Sequence, residues 1–197
     1  MANITKTQGT SVLSLQSVAS NTVLISSDID VSTKLAATVF IHFGRRATTA
    51  LTAGMEFRLE ASAKSSGSGY WWPVATFTSA IAAAESETVL LAASGQKVLT
   101  MASTNNLVVG DVIFIDNGTI GSSEWAKIKS VSAGVSITVE DDLVNAQTSS
   151  VVYDQAELYV AQIDLTAIGR LRLVANGAST GQAVAVEALI VTGDSIG

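Results

Sequence analysis

Residues 109–118 read VGDVIFIDNG, a short apolar run opened by Gly-Asp and closed by Asn-Gly. Successive side chains of a strand point to opposite faces, so Val112, Phe114 and Asp116 share one face and two isoleucines share the other. Both faces are mostly apolar, as in a strand of a small closed barrel. Asn-Gly favours a tight hairpin turn. The stretch therefore predicts a barrel strand followed by a turn.

Similar short strands, joined by polar turns, recur on both sides of this one. They are ETVLLAAS (87–94), QKVLTMAS (96–103), EWAKIKSVS (124–132), VSITVED (135–141) and SVVYDQ (150–155). We expect the bulky side chains of Trp125, Ile128 and Val131 to fill the interior of the barrel. Together these strands predict a self-contained barrel domain over residues 85–155.

Looser alternating strands lie before and after the predicted barrel. The N-terminal ones are TSVLSLQ (10–16), NTVLISS (21–27), LAATVFIHF (35–43), MEFRLEASA (55–63) and YWWPVATF (70–77). The C-terminal ones are AELYVAQIDLTAI (156–168), RLRLVANG (170–177) and QAVAVEALIVTG (182–193). About eight strands suffice for two packed sheets. The sequence predicts an all-β fold: a discontinuous, jelly-roll-like β-sandwich of residues 1–84 plus 156–197, interrupted by the barrel, with SAIAAAESE (79–87) as a connector.

Composition narrows the class of protein. Charged residues make up 14% of the 197-residue chain, against about 25% in typical domains, which favours a surface covered by partners. Cysteine is absent, so disulfides are excluded. The net charge of −6 argues against nucleic-acid binding. No apolar run is long enough to span a membrane and no signal peptide is visible, so the default is a soluble protein made in the cytoplasm.

Candidate catalytic and metal-binding residues are few. His42 is the only histidine, and no nucleophile elbow accompanies it, so we interpret it as structural or surface-exposed. The acidic run 140–142, with Asp116 and Glu124 on neighbouring strands, could gather oxygen ligands for calcium. The alternative is a solvated turn, which we prefer. We therefore predict no enzyme activity, no cofactor and no metal.

The most aromatic stretch is Tyr70-Trp71-Trp72-Pro73. Alternation along a strand would turn one tryptophan inward and the other outward. We expect one ring in the core and one at a sheet edge or subunit contact. The alternative is an exposed platform for carbohydrate.

Two arginine pairs are candidate interface residues. Arg170 and Arg172 share one face of RLRLV, with Leu171 and Leu173 inward. Together with Arg45 and Arg46, they could pair with acidic groups on a neighbouring subunit. A solvated strand face is the other interpretation.

Longer segments resemble a known group of proteins. The stretch VGDVIFIDNGT followed by SEWAKIKSVSAGVSITVEDDL resembles the small barrel modules of tailed-bacteriophage structural proteins. The segments VFIHFGRRATTALTAGMEFRLEASAKSSGSGYWWPVATF and LRLVANGASTGQAVAVEALIVTGDS resemble the sandwich portions of phage virion proteins. The resemblance implies a particle component, either a capsid decoration (cement) protein or a neck or tail accessory protein.

These observations together predict a non-enzymatic virion structural protein. We expect a decoration protein that bridges major capsid subunits on the particle surface, as a homo-oligomer with a trimer as the best guess. The polar N-terminal MANITKTQGT is either an arm that orders on a neighbour or a frayed end. The alternative function is a neck, tail or fibre protein with a glycan- or receptor-binding module, in which Tyr70, Trp71 and Trp72 form the platform.

Overall fold

The computed structural model describes residues 9–177 and 180–194. These residues form fifteen strands and one short 3-10 turn, with no α-helix among them. The all-β prediction is confirmed. No helix in the described ranges is long and apolar enough to cross a membrane. Most of the predicted N-terminal arm falls outside the described residues.

The strands fall into three consecutive groups along the chain. The first group is β1 (Thr10–Val18), β2 (Val23–Ile25), β3 (Ile29–Asp30), β4 (Lys34–Arg45), β5 (Glu56–Ser62) and β6 (Trp72–Thr78). The second group is β7 (Ser86–Leu91), β8 (Val98–Met101), β9 (Val112–Asp116), β10 (Glu124–Ser132), β11 (Ser136–Val139) and β12 (Val151–Tyr153). A 3-10 turn, η1 (Ile120–Ser122), lies between β9 and β10. The third group is β13 (Ala156–Asp164), β14 (Arg170–Asn176) and β15 (Val184–Asp194).

The first and third groups build the sandwich together. One sheet has the order β1-β15-β4-β13, and the other has the order β2-β14-β5-β6, with β3 also pairing with β14. All of these pairings are antiparallel. Because β14 and β15 insert between strands of the first group, neither sheet is complete without the C-terminal segment. The sandwich is therefore discontinuous in sequence.

The sandwich core comes from alternating side chains of the two facing sheets. Val39, Ile41 and Phe43 of β4 are fully buried, as are Phe57 and Leu59 of β5. The rings of Phe43 and Phe57 meet edge to face with centroids 5.9 Å apart. On β1 the expected alternation fails, because a register shift between Ser11 and Leu13 buries both Val12 and Leu13.

The second group of strands closes into a six-stranded barrel in the order β10-β11-β8-β7-β12-β9. Its interior is filled by side chains that include Ile113, Ile115 and Ile128, with Val131 packed against them. Trp125 is not among them, which corrects the prediction that it fills the barrel. Trp125 is paired with Phe114 across β9 and β10, and both rings lie on the outer side of the barrel. The connector 79–85 is irregular, as expected, and strand β7 begins at Ser86.

Candidate interaction surface

The sandwich has an open side where the edge strands of its two sheets, β6 and β13, lie next to each other. The ring of Tyr159 stacks on Phe77 at 5.1 Å, and its hydroxyl donates to the Glu157 carboxylate and lies 3.4 Å from the carbonyl oxygen of Thr78. Four apolar side chains on these strands are 42–55% exposed: Trp72, Val74, Leu158 and Val160. Edge strands with exposed apolar side chains invite pairing with another chain. We name this region, β6 with β13, the open side.

Tyr70 and Trp72 form an exposed aromatic pair at one end of the open side. Their ring centroids are 6.3 Å apart and their planes are inclined by 43°. Tyr70 is 77% exposed. Pro73 follows directly on β6, where it contributes no N–H group to the sheet edge. The pair is therefore available for contact with a partner.

Trp71 lies under two arginine side chains and is half-buried. The guanidinium carbons of Arg172 and Arg170 lie 4.2 and 5.2 Å from its ring centroid, which are cation–π distances. Arg172 also pairs with Glu60, with 2.7 Å between Nη2 and Oε2. Neither tryptophan belongs to the sandwich core, because Trp71 lies against the two arginines and Trp72 is exposed. This corrects the prediction of one core ring.

Arg170 is buried and has several acceptors within the chain. Its guanidinium pairs with Asp28 and donates to the carbonyls of Lys64 and Gly67. Leu171 points inward as predicted and is fully buried. The contacts of Arg170 therefore tie the 62–69 loop to β14, and an intersubunit role for Arg170 and Arg172 stays a prediction.

Arg45 is 1% exposed, which corrects its expected place on a contact surface. Its guanidinium donates to the carbonyls of Thr49 and Ala82, and so holds two loops together at the end of β4. Burial lowers the pKa of Arg45, whereas the negative charges of Glu157 and Asp154 act to raise that pKa and only partly offset the effect of burial. Its position follows from strand alternation, because Arg45 has the same parity as Phe43 on the core face of β4.

Arg46 joins the sandwich to the barrel. Its Nε and Nη2 donate to the two carboxylate oxygens of Asp116 at 2.7 and 3.1 Å. The Tyr153 hydroxyl donates to the Arg46 carbonyl at 3.1 Å. Burial raises the pKa of Asp116, but hydrogen bonds from Arg46, the Gly118 amide and Ser123 outweigh it and lower the pKa overall. A bidentate pair of this kind positions the barrel on the sandwich.

Trp125 makes the second contact between barrel and sandwich. Its ring stacks on His42 at 5.4 Å and its Nε1 donates to Oε2 of Glu187 at 2.9 Å. Gly44 leaves room for the ring, since a Cβ there would lie 2.6 Å from Trp125 Cζ3. Burial lowers the pKa of His42, and burial raises the pKa of Glu187 despite the hydrogen bond from Trp125. His42 is thus a packed junction residue, in line with its structural interpretation.

Several of the acidic residues considered for calcium are engaged by partners within the chain. Asp116 pairs with Arg46, and Glu140 pairs with Lys127 at 3.2 Å. Glu124 accepts hydrogen bonds from the amides of residues 144 and 145 and from Gln147. Within residues 9–177 and 180–194, no group of three acidic or histidine side chains could hold a metal ion. The absence of a metal stays a prediction.

The charge of the chain is concentrated on the barrel. Residues 85–155 contain nine acidic and three basic residues, which gives −6. The remaining residues contain eight acidic and eight basic ones and are neutral. The sandwich can therefore approach other proteins without net repulsion, whereas the barrel favours basic partners.

Comparisons with known proteins give only distant similarity. No protein-family model matches the sequence, and a search of curated proteins finds no significant match. The SPBc2 prophage-derived protein YomS is 9% identical, with 97% of this chain and 96% of that chain covered and a TM-score of 0.33. The tailspike protein gp49 of Pseudomonas phage LKA1 is 23% identical over 36% of this chain and 14% of the tailspike, with a TM-score of 0.29. An infectious bursal disease virus structure, Gx strain, is 12% identical over 99% of this chain and 42% of that chain, with a TM-score of 0.29. TM-scores this low do not establish a common fold, so the role of this chain rests on its own residues.

Proposed function

We propose that this chain is a non-enzymatic structural protein of a tailed-phage virion, acting as a capsid decoration (cement) protein. The open side carries the proposal: two adjacent edge strands expose apolar side chains on a sandwich with no net charge. Surfaces of this kind mark sites of protein association. The likeness of the segments 39–77 and 109–143 to phage structural proteins supplies the type of particle.

The mechanism follows from the chemistry of the open side. Leu158 and Val160 would pack against apolar groups of major capsid subunits, while the unpaired backbone groups of the edge strands would form hydrogen bonds with them. Most arginines of the sandwich are already paired within the chain, so few charges would have to be desolvated there. As a homotrimer at three-fold positions, the protein would bridge neighbouring capsid subunits and resist outward pressure.

A co-sedimentation experiment tests this proposal. Recombinant chain is mixed with particles assembled without it and centrifuged through a gradient. We expect it to sediment with the shells at a fixed ratio to the major capsid protein, and the L158S/V160S variant to bind several-fold more weakly. The matched control is V135S, which removes an exposed apolar side chain from a barrel turn. Failure of the unaltered chain to sediment with shells would contradict a decoration role, and binding to tails alone would assign it to the neck or tail.

The exposed aromatic pair supports a second candidate function, a glycan- or receptor-binding module. Tyr70 and Trp72 present two inclined rings, and aromatic faces pack well against the apolar faces of sugars. Trp71 would contribute indirectly, because its ring is already covered by Arg170 and Arg172.

A glycan array distinguishes this second candidate from the first. Binding that is lost in W72A and Y70A, but kept in L158S/V160S, would favour the glycan module. Binding to no glycan, together with co-sedimentation with shells, would eliminate it.

A further inference from the structure

A groove of about 420 Å³ lies where the barrel meets the sandwich. Its apolar lining includes Leu15 of β1, half-buried Trp125 of β10 and Val144 of the β11–β12 loop. Val144 is 76% exposed. Grooves between two domains are frequent binding sites. This groove is separate from the open side that carries the proposed function.

The groove is also lined by four carboxylates. Glu124 and Glu187 lie on its walls, and Asp141 and Asp142 lie at its rim. No lysine or arginine is among the described residues that line it. Oδ1 of Asp142 lies 3.9 Å from Nζ of Lys97, which is the limit of an ion-pair distance. The Asp141 side chain has no partner within the described residues. The lining therefore attracts positive charge.

We propose that this groove binds a lysine- or arginine-bearing extended segment of a partner protein. The cationic head would lie among the carboxylates of the groove and form ion pairs with the two aspartates at its rim. The aliphatic stem would pack on Leu15 and Val144. The net charge of −6 on the barrel steers such a segment toward the groove.

An NMR titration of the full chain tests this proposal. The probe is the peptide Ac-Lys-Leu-Lys-NH2, with Ac-Glu-Leu-Glu-NH2 as the charge-reversed control. We expect the basic peptide to shift the indole N–H signal of Trp125 and the amide signals of Asp141 and Val144. D141N/D142N should bind about four- to 25-fold more weakly, because exposed ion pairs are worth roughly two- to fivefold each. The acidic peptide should cause no shift.

The matched controls are D164N and E56Q, which each remove one negative charge from the sandwich. Both should leave the affinity for the basic peptide unchanged. Equal weakening by D164N or E56Q and by D141N/D142N would show general charge attraction and overturn the proposal. An unchanged spectrum at millimolar peptide would also overturn it. Neither outcome would affect sedimentation with shells, so this proposal and the decoration role can fail separately.

Discussion

The substitution G44A tests how closely the barrel is seated on the sandwich. Gly44 lies on β4 directly beneath Trp125, and an added Cβ would lie 2.6 Å from Trp125 Cζ3 and 2.9 Å from the Cβ of Phe114. Carbon atoms pack favourably at about 3.5–4.0 Å, so the barrel would have to move by about 1 Å. The two rings are themselves packed, with centroids 4.6 Å apart, and neither can simply swing away.

Over-packing of this kind costs about 1–3 kcal/mol. For a chain of this length that corresponds to a fall in Tm of roughly 2–12 °C. The matched control is G121A, where an added Cβ meets nothing within 4 Å and the backbone is not in the left-handed region. G121A should leave the free energy of unfolding unchanged or raise it by a few tenths of a kcal/mol, about the size of ordinary glycine-to-alanine effects.

Urea unfolding followed by tryptophan fluorescence measures both variants. A smaller side chain at position 125 should relieve the clash, so G44A/W125L should be less destabilised than the sum of its single variants by about 0.5–3 kcal/mol. If G44A is as stable as G121A, or if the double variant is strictly additive, the barrel does not contact the sandwich through Trp125.

Three further outcomes are expected. R45M should lower the free energy of unfolding by about 2–4 kcal/mol, because it removes the hydrogen bonds from the buried guanidinium to the carbonyls of Thr49 and Ala82. R58M, at a half-exposed arginine, is the control, and equal losses in urea would contradict the role of Arg45. The pKa of Asp116 is below its ordinary value of 3.8, so its stabilisation is present above that pH and is lost as the pH falls through the folded-state pKa. D116N should therefore differ from the parent by about 1–3 kcal/mol at pH 7 and by progressively less as the pH is lowered below 3.8. A difference that does not narrow on acidification would refute the assignment. W71L should lower the free energy of unfolding by about 1–2 kcal/mol, because it removes the two cation–π contacts of Trp71. Y70L should change the free energy of unfolding by less than about 0.5 kcal/mol, and thermal melts of the two variants measure the difference.

Strand alternation predicted much of the fold from the sequence. It puts Ile113 and Ile115 together on one face of their strand, which is the face that lines the barrel interior, and it turns Leu171 toward the core of the sandwich. Asn117-Gly118 follow the end of β9 as expected, and Gly118 has a positive φ of 84°. The predicted tight hairpin turn is wrong, because β9 and β10 are joined by the longer segment 117–123, which contains η1. These features depend on local geometry and on which face is apolar, and both are readable from a single chain.

The partner of each outward face could not be predicted. Its size favours a place in the barrel interior for Trp125, but Ile128, three residues later on the same strand, points inward, and alternation therefore turns Trp125 outward. Alternation along β4 likewise puts Arg45 on the same face as Phe43, which is the face toward the core. The contacts of Trp125 with His42, Gly44 and Glu187 join residues far apart in the chain. Such contacts depend on how two domains pack, and no local pattern encodes them.

The copy number of this chain in purified virions tests the central claim most directly. Quantitative mass spectrometry against the major capsid protein measures it. A decoration role predicts hundreds of copies per particle, in a fixed ratio to the capsid lattice. A few copies, in a multiple of three or six, would instead indicate a neck, tail or fibre part. Absence of the chain from purified particles would contradict a virion role altogether.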